Sequence, residues 1–467
     1  MKAFYTSSIA VSLAAALFLS ACSMTPPSEP PHHSLLTAKQ VQLYQHDLIN
    51  IKTDWWTQFN DPQLNQLIKL GLTNNLTLQQ AQQRIELATQ QVALAQAGDK
   101  PSVNLNVSGG AIGANLDSFS PHNAEYSALG MLLPSFSYQF DFWGKNKAII
   151  AAATNQKLSL EAQAVQAKLL LSAAMTSSYF TLQNNYRLER DIELLLRETN
   201  KQKSVINDQI KRGLATKAEL FQQQGDIDKL SAQLSMTKTQ QQLAKNQLAL
   251  YVAKTPQQLG TLLAPNAEPI KQLNNITTIP INLLGRRADI IANKWLVEAN
   301  RQGIKHAKAA YYPDMNLMVM GVFQKLSSMN PADLFLSGAT VATTLPLYDG
   351  GVRDANYASA NINYDQAVTV YNQSVLTAVK QASDAIVNLQ EALQQQALSV
   401  ASTTQYQQAY MIFKHRYQRG LASFSEMNNA QIKWHQQVIQ TTNADNATLQ
   451  NQLQLIVALG GGYNSQQ

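Results

Sequence analysis

Residues 145–212 and 352–419 of this 467-residue chain each run for 68 positions without a glycine or a proline. Residues 421–459 are a third such stretch, and 214–255 contain only Gly225. The chain has 20 Gly and 15 Pro, so breakers are not scarce, only kept out of these windows. Long breaker-free segments predict helix. At 1.5 Å per residue, each of the two longest spans about 100 Å. No ordinary globular domain is that thick, which leaves an elongated architecture.

The two long segments begin and end alike. Phe142-Trp143-Gly144 precedes the first and Asp349-Gly350-Gly351 the second. Arg212-Gly213-Leu214-Ala215-Thr216 ends the first and Arg419-Gly420-Leu421-Ala422-Ser423 the second. Gly144 to Gly351 and Gly213 to Gly420 share one offset of 207 residues, which points to an internal duplication. Each half is expected to be a hairpin of very long helices turning at an Arg-Gly-Leu loop, where Gly suits a left-handed backbone. Apolar stripes at helical spacing (Leu158, Ala162, Val165, Leu169; Leu449, Leu453, Ile456, Leu459) read as packing seams.

Ahead of each long helix the texture changes. Val103, Leu105 and Val107 alternate with Asn104, Asn106 and Ser108, and Ser135 to Phe142 alternates likewise. In the second half, residues 315–323 and 334–347 are apolar and β-prone. Period-two alternation over about ten residues is the pattern of a membrane β-strand, two per half. Phe119, Tyr126, Tyr311, Tyr312, Phe335 and Tyr348 lie near strand ends, as interface girdles do. A four-stranded open sheet cannot sit in lipid with unpaired edges. Either the strands are two soluble hairpins, or several chains close one barrel.

The N-terminus reads as a processing segment. Lys2 precedes an apolar run over residues 9–21, too short to span a membrane. Leu19-Ser20-Ala21-Cys22 resembles a lipobox, making Cys22, the single cysteine, the expected lipidation site. Residues 25–33 are Pro-rich and read as a tether. Beyond Cys22 no apolar run reaches 18 residues. One cysteine excludes an internal disulfide framework and Cys-rich metal centres. Only 14% of residues are charged, whereas 53 are Gln and 35 Asn, so amides carry much of the polar surface. A net charge of +6, or +5 without Lys2, with no dense Lys/Arg cluster, argues against nucleic acid as a partner. No metal or cofactor site is expected: the seven His are scattered, and Gly460-Gly461-Gly462 follows a helix whereas phosphate loops precede one. No enzymatic activity is expected.

These residues resemble the TolC-like outer-membrane efflux channels, in particular the NodT-type lipoprotein subgroup. Further landmarks of that resemblance are Trp55-Trp56, Phe59, Asp61-Pro62, Asn74-Asn75-Leu76, Pro101, Phe140-Asp141-Phe142-Trp143-Gly144, Leu284 to Ile290, Tyr312-Pro313-Asp314, Leu345 to Gly351 and Ala458 to Tyr463. Ala288 departs from the pattern, which usually has Pro there. The resemblance implies a mainly α protein with a membrane β-barrel: a homotrimer whose four strands per chain close a 12-stranded barrel, continuous with a 12-helix periplasmic α-barrel. The expected organisation is a signal peptide at 1–21 and a lipid-anchored tether at 22–50. A first repeat then covers 51–260, with a β-hairpin about 102–141 and a turn near 213. An equatorial linker covers 261–285, and a second repeat covers 286–460, with a hairpin about 314–347 and a turn near 420. A tail at 461–467 ends the chain. The implied function is a passive exit duct in the outer membrane, working with a periplasmic adaptor and an inner-membrane pump of the resistance–nodulation–division or major-facilitator type.

The resemblance also assigns candidate sites. Arg212, Gly213, Leu214, Arg419, Gly420 and Leu421 are the expected adaptor contacts. Glu219 and Tyr417 are expected to tie the closed periplasmic end. Glu426 is expected to ring the constriction; the family's second acid falls at Asn429, leaving one carboxylate layer. The alternative for both acids is a first-turn position that favours a helix N-terminus. A rival for the whole chain is a lipid-anchored, periplasm-spanning coiled-coil spacer without a pore, which needs no lipid-facing strands.

Overall fold

The computed structural model describes residues 26–41, 43, 51–114, 125–280, 282–326 and 334–462. Cys22, the signal segment and Phe119 lie outside them. The long elements are α1 (Pro62–Asn74), α2 (Leu76–Ala97), β1 (Ser102–Ala114), β2 (Glu125–Phe140), α3 (Lys145–Lys211) and α4 (Lys217–Tyr251). They continue with α5 (Ala288–Ala309), β3 (Asp314–Leu326), β4 (Leu334–Thr344), α6 (Val352–Gln418) and α7 (Phe424–Ala458). The pairs α3/α6 (67 residues each) and α4/α7 (35 each) repeat at the 207-residue offset at both ends. The earlier elements α2/α5 and β1/β3 repeat instead at 212, so the halves differ by five residues between these blocks. None of the described helices is long and apolar enough to cross a membrane.

The chain divides into two compact units. The first takes in the described residues within 1–35, 84–161 and 292–371 and contains the sheet. All four strands pair antiparallel in the order β1-β2-β3-β4, leaving β1 and β4 as edges. The register sorts the side chains. Val103, Leu105 and Val107 oppose Phe136, Pro134 and Leu132. Leu132, Phe136, Tyr138 and Phe140 oppose Phe323, Val319, Leu317 and Met315. Leu317 and Phe323 oppose Val341 and Phe335. One face is therefore a continuous apolar surface. Gly321 leaves room on it for Pro134, against which an added Cβ would press.

Below the sheet, the Trp143 ring stacks on Tyr312 at 4.6 Å and its Nε1–H donates to the Pro313 carbonyl at 3.0 Å. Lys145 pairs with Asp314 at 2.8 Å. Tyr348 is 90% exposed, as a girdle residue is, but Tyr311 is buried. Tyr311 packs with Ile304, Ala307 and Tyr357, donates to Asp354, and lies under the Arg353 guanidinium at 5.3 Å. Burial raises its hydroxyl pKa well above the usual value. It is a core residue, not part of an interface girdle. The tether is also held: His32 Nδ1 lies 3.0 Å from Asp365, its ring meets Tyr364 edge-on, and the His33 N–H donates to the same carboxylate.

The second unit takes in residues 36–83, 162–291 and 372–467. Its helices lie in the order α4-α3-α7-α6. Gln223 and Gln241 of α4 donate to the Thr199 and Asn185 carbonyls of α3. Thr442 and Asn428 of α7 reach Asp191 and the Glu198 carbonyl of α3. Thr403 and Gln396 of α6 reach Thr441 and Asp445 of α7. Leu188, Ile192, Leu195 and Ile439 form an apolar cluster between α3 and α7. The stripe Leu449, Leu453, Ile456, Leu459 is buried.

The segment joining the halves is clipped by two glutamines. Gln183 of α3 gives and takes a hydrogen bond with Ala267, and Gln452 of α7 does the same with Ile270. Each amide satisfies both backbone groups of a residue outside regular structure. Asp61 caps α1, accepts from the buried Tyr179 hydroxyl at 2.8 Å and from the Asn266 N–H at 2.9 Å.

Gly460, Gly461 and Gly462 do more than stop α7. All three have positive φ (90°, 56° and 81°), and an added Cβ would strike the Arg286 carbonyl, the Leu169 side chain and the Ile51–Lys52 backbone respectively. Gly460→Ala combines backbone strain with overpacking and is expected to cost about 2–4 kcal/mol. Thermal unfolding of the purified protein measures it; an unchanged melting temperature would contradict the close approach.

Candidate functional site: two helical turns and a two-faced sheet

The α3–α4 and α6–α7 turns are built from the same parts. Gly213 and Gly420 hold φ of 71° and 73°. The Leu214 N–H donates to the Gln209 carbonyl and the Gly213 N–H to Ile210; the Leu421 N–H donates to Arg416 and Gly420 to Tyr417. This double closure after a left-handed glycine satisfies carbonyls that end a helix. It turns the next residue outward: Leu214 is 74% and Leu421 65% exposed. Arg212, Gly213, Arg419 and Gly420 are exposed beside them. Each turn therefore offers an arginine and a bare leucine on a rigid backbone.

The next helix starts three residues on. Thr216 caps α4 by accepting from the Glu219 N–H, and its hydroxyl meets the Glu219 carboxylate at 3.2 Å. Ser423 caps α7, and Glu426 reaches back to the Ser423 N–H at 2.8 Å, closing a capping box. These hydrogen bonds from Ser423 hold the Glu426 carboxyl below the usual carboxylate range. A depressed folded pKa means the box is intact above the unfolded value and is lost as pH falls through the folded one. The box was legible in the spacing Ser423-x-x-Glu426.

The structure does not bring Glu219 and Tyr417 together within one chain. Glu219 faces Thr216, and the Tyr417 ring contacts Phe424 at 5.9 Å. Asn429 is exposed. The residue that sequence reasoning missed is its neighbour. Asn428 is fully buried, and its Nδ2 donates to the Glu198 carbonyl at 3.0 Å and to Gln202 at 3.4 Å, while Gln202 donates to Ser425. An amide layer thus joins α7 to α3 two turns from the tip. Such polar layers fix register at a cost in stability. His435, two turns further along, is buried, and desolvation lowers its imidazole pKa against the pull of Glu198 and Asp191.

The sheet's second face differs from the first. Ser102, Ser137, Met318 and Thr340 share one level; Asn104, Ser135, Met320 and Gly338 share the next. This face is largely uncharged and polar. Strands of 11 to 16 residues with one apolar face match the length needed to cross a bilayer tilted. Among the described residues no group of His, Cys, Asp and Glu is arranged to hold a metal.

Comparison with known proteins adds a family. The family model described as outer membrane efflux protein matches residues 67–254 and 279–461. The chain is 26% identical to the multidrug resistance outer membrane protein MdtP of Escherichia coli K12, covering 97% of this chain and 96% of that one. It is 27% identical to MdtQ of Escherichia coli O157:H7, a protein of the same description, over 88% of each. The crystal structure of the outer membrane protein VceC from Vibrio cholerae superposes with a TM-score of 0.77 at 28% identity, covering 88% of this chain and all of that one.

Proposed function

Because the chain belongs to the outer membrane efflux protein family, we propose that it is the outer-membrane exit duct of a tripartite efflux system. It carries drugs or other small toxic compounds outward passively, and an inner-membrane pump with a periplasmic adaptor supplies energy and cargo. One observation carries this reading: a four-stranded sheet with a continuous apolar face and two unpaired edges, β1 and β4. In lipid each unpaired backbone group costs several kcal/mol, so a single copy is excluded from the bilayer and a ring of copies is required. Three copies give the 12 strands and 12 long helices that the family resemblance implies. The helices support the same closure. The outermost members of the row, α4 and α6, are different surfaces, as a head-to-tail ring needs. Both carry exposed apolar residues: Met236 (66%), Leu243 (52%) and Leu250 (66%) on α4, with Leu376 (51%), Val387 (60%) and Leu398 (57%) on α6. The relatives' description as multidrug resistance proteins supports drugs as cargo. We place acylated Cys22 in the same membrane as a second anchor, since lipid chains hold at about 0.8 kcal/mol per buried CH2. The pump is of the resistance–nodulation–division or the major-facilitator class. Cells lacking this chain are expected to retain a fluorescent drug that complemented cells expel; equal retention would contradict the function.

The turns at Gly213 and Gly420 are the proposed adaptor contacts, and Glu426 the proposed carboxylate ring at the constriction, with Asn429 a turn deeper. The Glu219–Tyr417 tie belongs to the assembled ring, since each residue faces another partner within the single chain. Glu426→Ala should raise the conductance of the closed channel and reduce its cation preference. It also opens the capping box, so Ser423→Ala is the control: it removes the hydroxyl cap, worth about 1 kcal/mol, and keeps the carboxylate. Equal conductance changes in both variants would make Glu426 a cap and nothing more.

A further inference from the structure

The sheet's polar face is not polar throughout. Met318 and Met320 stand on it at successive levels, opposite Thr340 and Gly338 of β4 and Ser137 and Ser135 of β2. Val322 and Leu336 pair at the next level. Leu133, opposite Asn106, and Met131, opposite Gln324, continue the patch on β2. Met318, Met320 and Leu336 are 40%, 50% and 62% exposed, so neighbours in the same chain do not cover them. Polar residues border the patch: Gln139 and Asn316 toward the helices, Gln324 at the other end, and Asn104 and Asn106 along β1. No charged side chain stands on this face between the Asn316 and Gln324 levels.

We infer that these six residues form an apolar, methionine-rich collar on the inner wall of the exit barrel, which selects among cargo by contact with apolar and amphipathic compounds. The inference rests on the proposed duct, in which the more apolar face meets lipid and this one meets water. A wall that only had to stay wet would keep the Ser/Asn pattern of β1. Thioethers are flexible and polarizable and accommodate apolar surfaces of different shape, which suits a path for varied cargo. With no charge on the collar, selection there is by apolarity, and the amides on either side let cargo leave into water.

Tetraphenylphosphonium, a bulky apolar cation, is the probe, and tetramethylammonium its small hydrophilic counterpart. Ser135→Cys reports on the collar's edge from this face and Val319→Cys on the other, in the full-length, membrane-inserted protein. Labelling by a charged, water-soluble methanethiosulfonate is quantified by peptide, so that Cys22 is read separately. The expected result is that Cys at 135 reacts and Cys at 319 does not. Tetraphenylphosphonium should then slow the reaction about tenfold, tetramethylammonium should leave it unchanged, and M318Q/M320Q/L336Q should abolish the protection. Reaction at 135 unaffected by tetraphenylphosphonium overturns the collar and leaves the duct standing. Protection that persists in the triple variant also overturns it. Reaction at 319 with none at 135 reverses the faces and removes the duct reading with the collar.

Discussion

Gly420→Asp is expected to abolish export while leaving the protein assembled in the membrane. Gly420 holds φ of 73°, a region that costs most L-residues roughly 1–2 kcal/mol and that Asp and Asn tolerate best. An added Cβ there meets open space. The turn therefore survives the substitution, and what changes is its surface: a carboxylate between exposed Arg419 and Leu421. A docking adaptor would have to bury that charge or leave, and an unpaired buried charge costs several kcal/mol. Gly420→Asn makes the same backbone demand without the charge and should retain most export. Drug susceptibility, with the trimer band on an unheated gel as the assembly control, reads the outcome. Susceptibility equal to that of cells lacking the protein is expected for Asp; wild-type resistance would remove this turn from the adaptor interface.

Val319→Arg is expected to prevent insertion altogether. Val319 sits on the apolar face opposite Phe136 and Ala339, near the middle of β3. An arginine facing lipid at the midplane costs about 2–4 kcal/mol in a barrel, once for every copy in the ring. Ser135→Arg, one level away on the other face opposite Met320 and Asn104, points the same charge at water and should insert. The pair is compared by the fraction of protein in the outer-membrane fraction and by heat-modifiable mobility. Equal insertion of both variants would show that the first face does not meet lipid.

The long helices were legible because they are defined by an absence: 68 residues without Gly or Pro allow little but helix. The strands were legible at β1, where Val and Leu alternate strictly with Asn and Ser. They were harder to read at β3, where methionines occupy both faces and blur the period. The second offset, 212 instead of 207, was hidden because the most visible motifs, Gly144/Gly351 and Gly213/Gly420, all lie in the later block. Tyr311 and Tyr312 look equivalent in sequence. One is buried on Asp354 and the other stacks on Trp143, a difference set by which side of the α5–β3 junction each faces. Gly460 to Gly462 read as a helix stop because close approach to the Arg286, Leu169 and Lys52 neighbourhood is invisible in one dimension. Asn428 and Asn429 could be separated only by packing, since the seam α7 makes with α3 places one inward and its neighbour outward.

Electron microscopy of the detergent-extracted, full-length protein decides between a closed ring of chains and a chain without a pore. The expected particle is three-fold, with a continuous central lumen walled by twelve strands and by twelve helices, six of 67 residues and about 100 Å and six of 35 residues and about 50 Å. A monomer, or a solid rod with no lumen, would contradict it, since neither closes the β1 and β4 edges around a path for cargo.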